Sequence, residues 1–256
     1  MKNAVIIGAT TQVGFALCQK LISREVEVTG LEWSGKMDER AEEMLMEIGR
    51  NAFFHLQIDR TSNENFDVAF YFLDTIERLN QDNQEKYLAF AENASKLFFV
   101  SSYHNRRKNN NFKEQLNKKV KGDTKKTCFS IYLPMVIGPW QGEEEAVHKR
   151  LLEEKDEKDR QPIAIRDTDV LYVEDAAKAI YELSIMEEES QEVRFKNENP
   201  KVMNELMKEL NLTFLDHTEH DDEWDEVTEY KVKQSLTTKE SLQAQREQLR
   251  QKLKLE

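Results

Sequence analysis

Short apolar runs alternate with amphipathic stretches from the first residues of the chain. Ala4-Val5-Ile6-Ile7 is a continuous apolar run closed by Gly8, and Val13, Ala16, Leu17 and Leu21 follow at helical spacing. Unbroken apolar runs suit central strands of a parallel sheet, covered on both faces, and a 3.6-residue period suits the helices that cover them. The pattern predicts strands near residues 3–8, 25–31, 52–57, 67–73, 96–101 and 127–133. It predicts helices over about 12–23, 38–49, 84–94, 112–120 and 142–154. Another helix should follow Val173-Glu174-Asp175, with Ala176, Ala177, Ile180 and Leu183 on one face. Strands alternating with helices imply an α/β fold with a doubly wound parallel sheet of Rossmann type.

The final third has a different texture. Val202 to Leu212 predicts an amphipathic helix through Met203, Leu206, Met207 and Leu210, whereas Asp216 to Glu229 is acidic and without clear periodicity. Thr238 to Glu256 predicts a polar helix whose Leu242, Leu249 and Leu253 form a seam broken by Gln245 and Arg246. That helix is expected to pack back on its own domain, with an oligomerisation contact, such as a homodimer, as the alternative. The expected organisation is a core over residues 1–160 and a small C-terminal α-rich lobe over 161–256, forming one compact unit with it.

The turn after the first strand carries the candidate chemistry. Gly8-Ala9-Thr10-Thr11-Gln12-Val13-Gly14 lies between strand and helix, where backbone N–H groups and a helix N-terminus can meet a pyrophosphate. Gly8 allows the tight turn and Gly14 the close packing of helix on sheet, but Thr11 stands where a middle glycine is expected. A threonine there either obstructs the pyrophosphate, the outcome expected here, or turns its hydroxyl to a phosphate oxygen. The second strand, ending Thr29-Gly30-Leu31-Glu32, places a carboxylate where it can accept bonds from the adenosine ribose and repel a 2′-phosphate. This favours NAD over NADP. The candidate cofactor contacts are Gly8, Thr10, Thr11, Gln12, Val13, Gly14, Glu32 and Leu73, the last at the end of the fourth strand.

Charge narrows the classes of partner. Charged residues make up 34% of 256, and the formal net charge is −12. Such a surface repels nucleic-acid phosphates and anionic membranes, so neither is an expected partner. Cys18 and Cys128, far apart in sequence, suit two small buried hydrophobes in a reducing compartment. Lys2, the apolar run and Cys18 superficially mimic a lipoprotein leader, but Leu17 is too large for that cleavage site. A cytoplasmic protein is expected.

Several runs together resemble the extended short-chain dehydrogenase/reductase superfamily, specifically the NAD-dependent epimerase/dehydratase group. Gly8 to Gly14 resembles its turn, Asp67 to Leu73 its fourth strand and Phe99-Val100-Ser101-Ser102 the end of its fifth. Leu133-Pro134-Met135-Val136-Ile137-Gly138-Pro139 is similar to its arginine-proline…tyrosine-glycine-proline run, with Leu133 replacing the arginine. Asp169 to Ala179 resembles the segment opening the substrate-lobe helix. The resemblance implies NAD as cofactor and a nucleotide-sugar-like small molecule as partner.

It also implies a tyrosine and a lysine one helical turn apart, the lysine lowering the tyrosine pKa for proton transfer. The residues four after Tyr71, Tyr87, Tyr103, Tyr132, Tyr172, Tyr181 and Tyr230 are Thr75, Ala91, Arg107, Val136, Ala176, Ile185 and Gln234. None is lysine. Ser102 is the counterpart of the family's serine, and a shift of one residue brings Tyr103 to that place; these two are the catalytic candidates. The cluster Tyr103 to Asn111 is basic in an acidic chain and reads as a solvated loop, an anion-binding loop, or a replacement site using Tyr103 or His104. His217, His220 and Asp221 read as part of a charge run rather than a metal site, and Trp33, Trp140 and Trp224 as packing residues or pocket covers.

Three readings of function remain open. The chain is an NAD-binding protein with a degenerate catalytic site, acting by binding or as a scaffold. Alternatively it is an active epimerase/dehydratase or reductase with other acid–base residues, or a structural interaction protein without nucleotide binding.

Overall fold

The computed structural model describes residues 1–33, 37–59, 64–76, 86–87, 90–106, 126–153, 161–215, 224 and 227–255. Its centre is an eight-stranded sheet in the order β12-β10-β6-β5-β4-β1-β2-β3. The strands are β1 (Asn3–Ile7), β2 (Glu27–Glu32), β3 (Phe54–Ile58), β4 (Phe66–Phe72), β5 (Ala94–Ser102), β6 (Thr127–Leu133), β10 (Gln191–Asn197) and β12 (Thr228–Val232). Every neighbouring pair is parallel. Two short parallel pairs flank it: β7 (Met135–Ile137) with β9 (Val170–Tyr172), and β8 (Ile163–Ile165) with β11 (Leu212–Phe214). The doubly wound parallel α/β architecture is as expected from the apolar pattern.

The apolar runs are explained by burial on both faces. In β1, Ala4 and Ile6 face one cluster with α1 (Gln12–Ile22) and α5 (Val173–Ile185), while Val5 and Ile7 face another with Phe90 and Ala91. Side chains of a strand alternate between faces, so only an apolar residue at every position satisfies both. A ladder of rings crosses the centre: Phe70–Phe98 centroids are 5.2 Å apart and Phe98–Phe129 are stacked at 4.7 Å.

The remaining helices are α2 (Glu39–Ile48), the single turn α3 (Leu73–Ile76), α4 (Ala146–Leu152), α6 (Val202–Leu210) and α7 (Thr238–Leu255). Residues 86, 87 and 90–92 are helical within the expected 84–94 segment, and the expected helix over 112–120 lies outside the described residues. Leu242 and Leu249 of α7 are buried against α4 and α6, as the packing-back expectation requires. The stretch beyond residue 160 also holds β10 and β12, which the hydrophobic pattern had not revealed. In β10 only Val193, Arg194 and Phe195 are buried, and β12 is the outermost strand, so neither needs an apolar run.

Candidate functional site

All parallel strands end at the same edge of the sheet. From β1 the chain order runs one way through β2 and β3 and the other way through β4, β5 and β6. Where the order reverses, the connecting segments diverge and leave a crevice beyond the strand ends. A cleft of about 430 Å³ lies there, walled by the α1 turn, the ends of β2, β4 and β5, the Leu133–Val136 segment and Asp167. That volume lies within the range of small-molecule sites.

The turn is built by its glycines. Gly8 has φ of +92°, and a Cβ on Gly14 would stand 2.2 Å from the Gly8 carbonyl oxygen. No other residue permits that approach. Thr11 is the N-cap of α1: its Oγ1 accepts from Gly14 N at 3.0 Å and donates to Gly8 O at 2.8 Å. Its hydroxyl is therefore turned into the loop and committed there. This takes the hydroxyl away from phosphate donation, because an N-cap oxygen satisfies a helix donor that would otherwise lack an acceptor, while Thr11 itself still lines the cleft. The N–H groups of Gln12 and Val13, in the first turn of α1, have no acceptor within the helix. They line the cleft at the positive end of the helix dipole, with no acidic side chain in that turn. This donor set suits a pyrophosphate.

Glu32 ends β2 and is only 1% exposed. Its Oε1 accepts from Thr10 N at 2.5 Å and Thr10 Oγ1 at 2.8 Å, tying the second strand to the turn. Burial, followed by the charge of Glu32, pushes the Cys18 thiol well above its ordinary pKa, so Cys18 is an inert core residue. Cys128 is only partly buried. Arg40 donates to Trp140 O at 2.8 Å and reaches Thr10 O at 3.5 Å. Gln12 donates to Gly138 O and Pro139 O, each at 3.0 Å. From the other side, Gln245 of α7 accepts from Gly138 N and donates to Gln141 Oε1. The segment 138–141 is thus held between the turn and the C-terminal helix.

The candidates divide. Thr10, Thr11, Gln12, Val13, Glu32 and Ser102 line the cleft, and Gly8 and Gly14 shape its turn. Leu73 does not line it: the side chain is buried in the core, while Phe72, Asp74 and Thr75 face the cleft. The Ser102 amide donates to Asp74 Oδ2 at 2.9 Å. Tyr103 is corrected as a candidate acid–base group. It is 3% exposed, its hydroxyl donates to Phe195 O, and its ring packs on Trp224 with Arg194 across its face at 4.7 Å. Burial, the main cause, raises its pKa despite the opposing pull of Arg194. Arg106 also points elsewhere, over the Tyr132 and Trp224 rings and 3.6 Å from Glu192.

His104 does line the cleft, and its Nε2 lies 2.9 Å from Asp167 Oδ2. Asp167 carries no sequence signal, since it sits in a short connection between β8 and β9 and is brought to His104 only by folding. Residues 107–111 of the basic cluster, and His217, His220 and Asp221, lie outside the described residues. Among the described residues no three acidic, histidine or cysteine side chains form a metal-binding group, and no helix is long and apolar enough to cross a membrane.

No protein-family model and no curated protein matches the chain. Solved structures do. The UDP-glucuronic acid 4-epimerase of Bacillus cereus, in complex with NAD, superposes with a TM-score of 0.68 at 14% identity, covering 97% of this chain and 99% of the epimerase. The enzyme WbmH of Bordetella bronchiseptica, in complex with NAD+, gives 0.66 at 12% identity, covering 98% and 99%. The dTDP-glucose 4,6-dehydratase of Bacillus anthracis, also with NAD, gives 0.66 at 11%, covering 98% and 97%. At such identities the likeness establishes a shared fold over nearly the whole chain.

Proposed function

We propose that the cleft binds NAD, with a nucleotide-sugar-like small molecule beside it, and that the chain acts by binding or as a scaffold. One observation carries the reading: the Gly8–Gly14 turn is tied through Thr10 to buried Glu32 where the strand order reverses. On this reading Glu32 receives the adenosine ribose, the Gln12 and Val13 amides the pyrophosphate, and the ends of β4 to β6 the nicotinamide half. Its carboxylate disfavours a 2′-phosphate, so NAD is preferred to NADP. When bound, the dinucleotide supplies a hydride acceptor or donor. Support comes from the neighbours of the same fold that hold NAD. With no tyrosine followed by lysine at the helical interval, the standard proton route is absent.

A second reading, an active oxidoreductase or epimerase with a different proton carrier, draws on His104 beside Asp167 in the cleft. A side-by-side affinity screen with NAD(H), NADP(H) and UDP-glucose tests the first reading. Glu32→Ala should weaken NADH about 5- to 100-fold, as loss of one or two polar contacts implies, and narrow the NAD/NADP difference. Wild-type protein that binds none of these ligands would refute the reading in favour of a structural interaction protein.

A further inference from the structure

The two edges of the central sheet are protected differently. The β12 edge carries Glu229 and Lys231, and Glu229 is paired with Lys196 at 2.9 Å. Charges of that kind discourage a further strand. The β3 edge, Phe54-His55-Leu56-Gln57-Ile58, holds no lysine, no acid and no proline. Its Leu56 and Ile58 are 36% and 38% exposed. With Phe54 they share one face of the sheet, the face on which Phe54 and Ile48 of α2 pack. The bonds to β2 show which backbone groups are left over. Val28 N donates to Phe53 O, and Asp59 N donates to Glu32 O. The odd-numbered residues of this stretch therefore turn their N–H and C=O groups toward β2. Backbone groups alternate along a strand, so Phe54, Leu56 and Ile58 turn theirs to the open edge. Phe54 N is satisfied in the preceding turn by Asn51 O. The Phe54 carbonyl, both groups of Leu56 and the Ile58 amide meet no partner among the described residues.

That edge is complementary to itself. Two antiparallel copies related by a twofold axis at Leu56 place it opposite Leu56 of the partner subunit, each donating to and accepting from the other. The same register brings each Ile58 amide to the Phe54 carbonyl opposite. Apolar side chains then pair on one face, Leu56 with Leu56 and Phe54 with Ile58. On the other face His55 stands opposite Gln57, whose Oε1 is buried without a hydrogen-bond partner among the described residues. Half-buried Leu45 lies about half a turn round α2 from Arg40 and Glu47, which reach Trp140 on the α1 side, so it faces the open edge. We propose that β3 is a homodimer contact, joining two copies of the chain edge to edge, antiparallel about Leu56, into one continuous sheet. The contact uses neither the cleft nor α7, so it is independent of the dinucleotide reading. Pairing of one short strand is small beside ordinary dimer interfaces, and the charge of −12 on each copy opposes it. Association is therefore expected at about 10–100 µM, in about 0.3 M salt to screen that charge.

Sedimentation equilibrium of the full chain over about 5–500 µM should show a monomer–dimer equilibrium. Leu56→Lys and Leu56→Glu each set like charges across the axis and should weaken self-association about tenfold or more. An equimolar mixture of the two variants should recover it, because opposite charges then face each other. That recovery is specific to a twofold at position 56. Loss of stability would not produce it, and circular dichroism and Tm of each variant monitor the fold. Hydrogen exchange of the wild type supplies a measurement that needs no variant. The Leu56 and Ile58 amides should exchange more slowly as protein concentration rises, while those of His55 and Gln57, already bonded to β2, should not change. A chain that stays monomeric throughout that range overturns the proposal. So does self-association that Leu56→Lys leaves intact, a mixture that stays monomeric, or Leu56 and Ile58 amides whose exchange is independent of concentration.

Discussion

Replacing Gly14 by alanine adds one methyl group at the most constrained point of the cleft. The new Cβ would lie 2.2 Å from Gly8 O, 2.6 Å from Thr11 Oγ1 and 3.2 Å from the Gly8 carbonyl carbon. Against an ordinary carbon–oxygen contact the overlap is roughly 1 Å, and the obstacle is backbone rather than the end of a flexible side chain. Relief requires α1 to move away from β1 or the Gly8 carbonyl to rotate. Either change strains the Thr11 cap, whose bonds to Gly14 N and Gly8 O measure 3.0 and 2.8 Å. Overpacking costs about 1–3 kcal/mol and loss of the cap about 1 kcal/mol, together about 2–4 kcal/mol. For a chain of this size that lowers Tm by roughly 4–16 °C. Gly142→Ala is the matched control, since its nearest neighbour is Glu145 Cγ at 3.6 Å and its φ is not positive. That variant should stay within about 0.5 kcal/mol of wild type. Urea and thermal unfolding of the two variants, with NADH titration alongside, check the reasoning. A Gly14→Ala protein with wild-type Tm and NADH affinity would refute the close approach of turn and helix.

Two further predictions concern hydroxyl groups. Thr11→Ala should lower stability by about 1 kcal/mol through loss of the N-cap while Thr11→Ser retains it, measured by urea unfolding; equal losses would show that the γ-methyl, not the hydroxyl, matters. Tyr103→Phe should cost about 0.5–1.5 kcal/mol, the net worth of the bond to Phe195 O, and leave NADH affinity unchanged. A large loss of NADH binding at wild-type stability would return Tyr103 to the cleft.

The local pattern alone determined the first six strands, the helices α1, α2, α4 and α5 and the glycine turn. These depend on interactions legible over a few residues: alternation of faces in Val5-Ile6-Ile7, helical spacing from Val13 to Leu21, and a glycine where the backbone turns. Glu32 was legible because its distance from the turn reflects one helix and one return strand. Strands β10 and β12 were not, because they lie toward one edge and mix charged with apolar residues. Only tertiary structure decided which side chains share the cleft. Leu73 and Tyr103 sit next to cleft residues in sequence yet turn inward, since each opens the helical turn that follows a strand, where successive side chains point in different directions. Thr11 could be assigned its cap only once Gly8 O and Gly14 N were placed around its hydroxyl. The pairing of His104 with Asp167 spans 63 positions, and no periodicity relates them. Contacts between separate connecting segments follow from how the sheet brings its strand ends to one edge, which the order of residues encodes only through the whole fold.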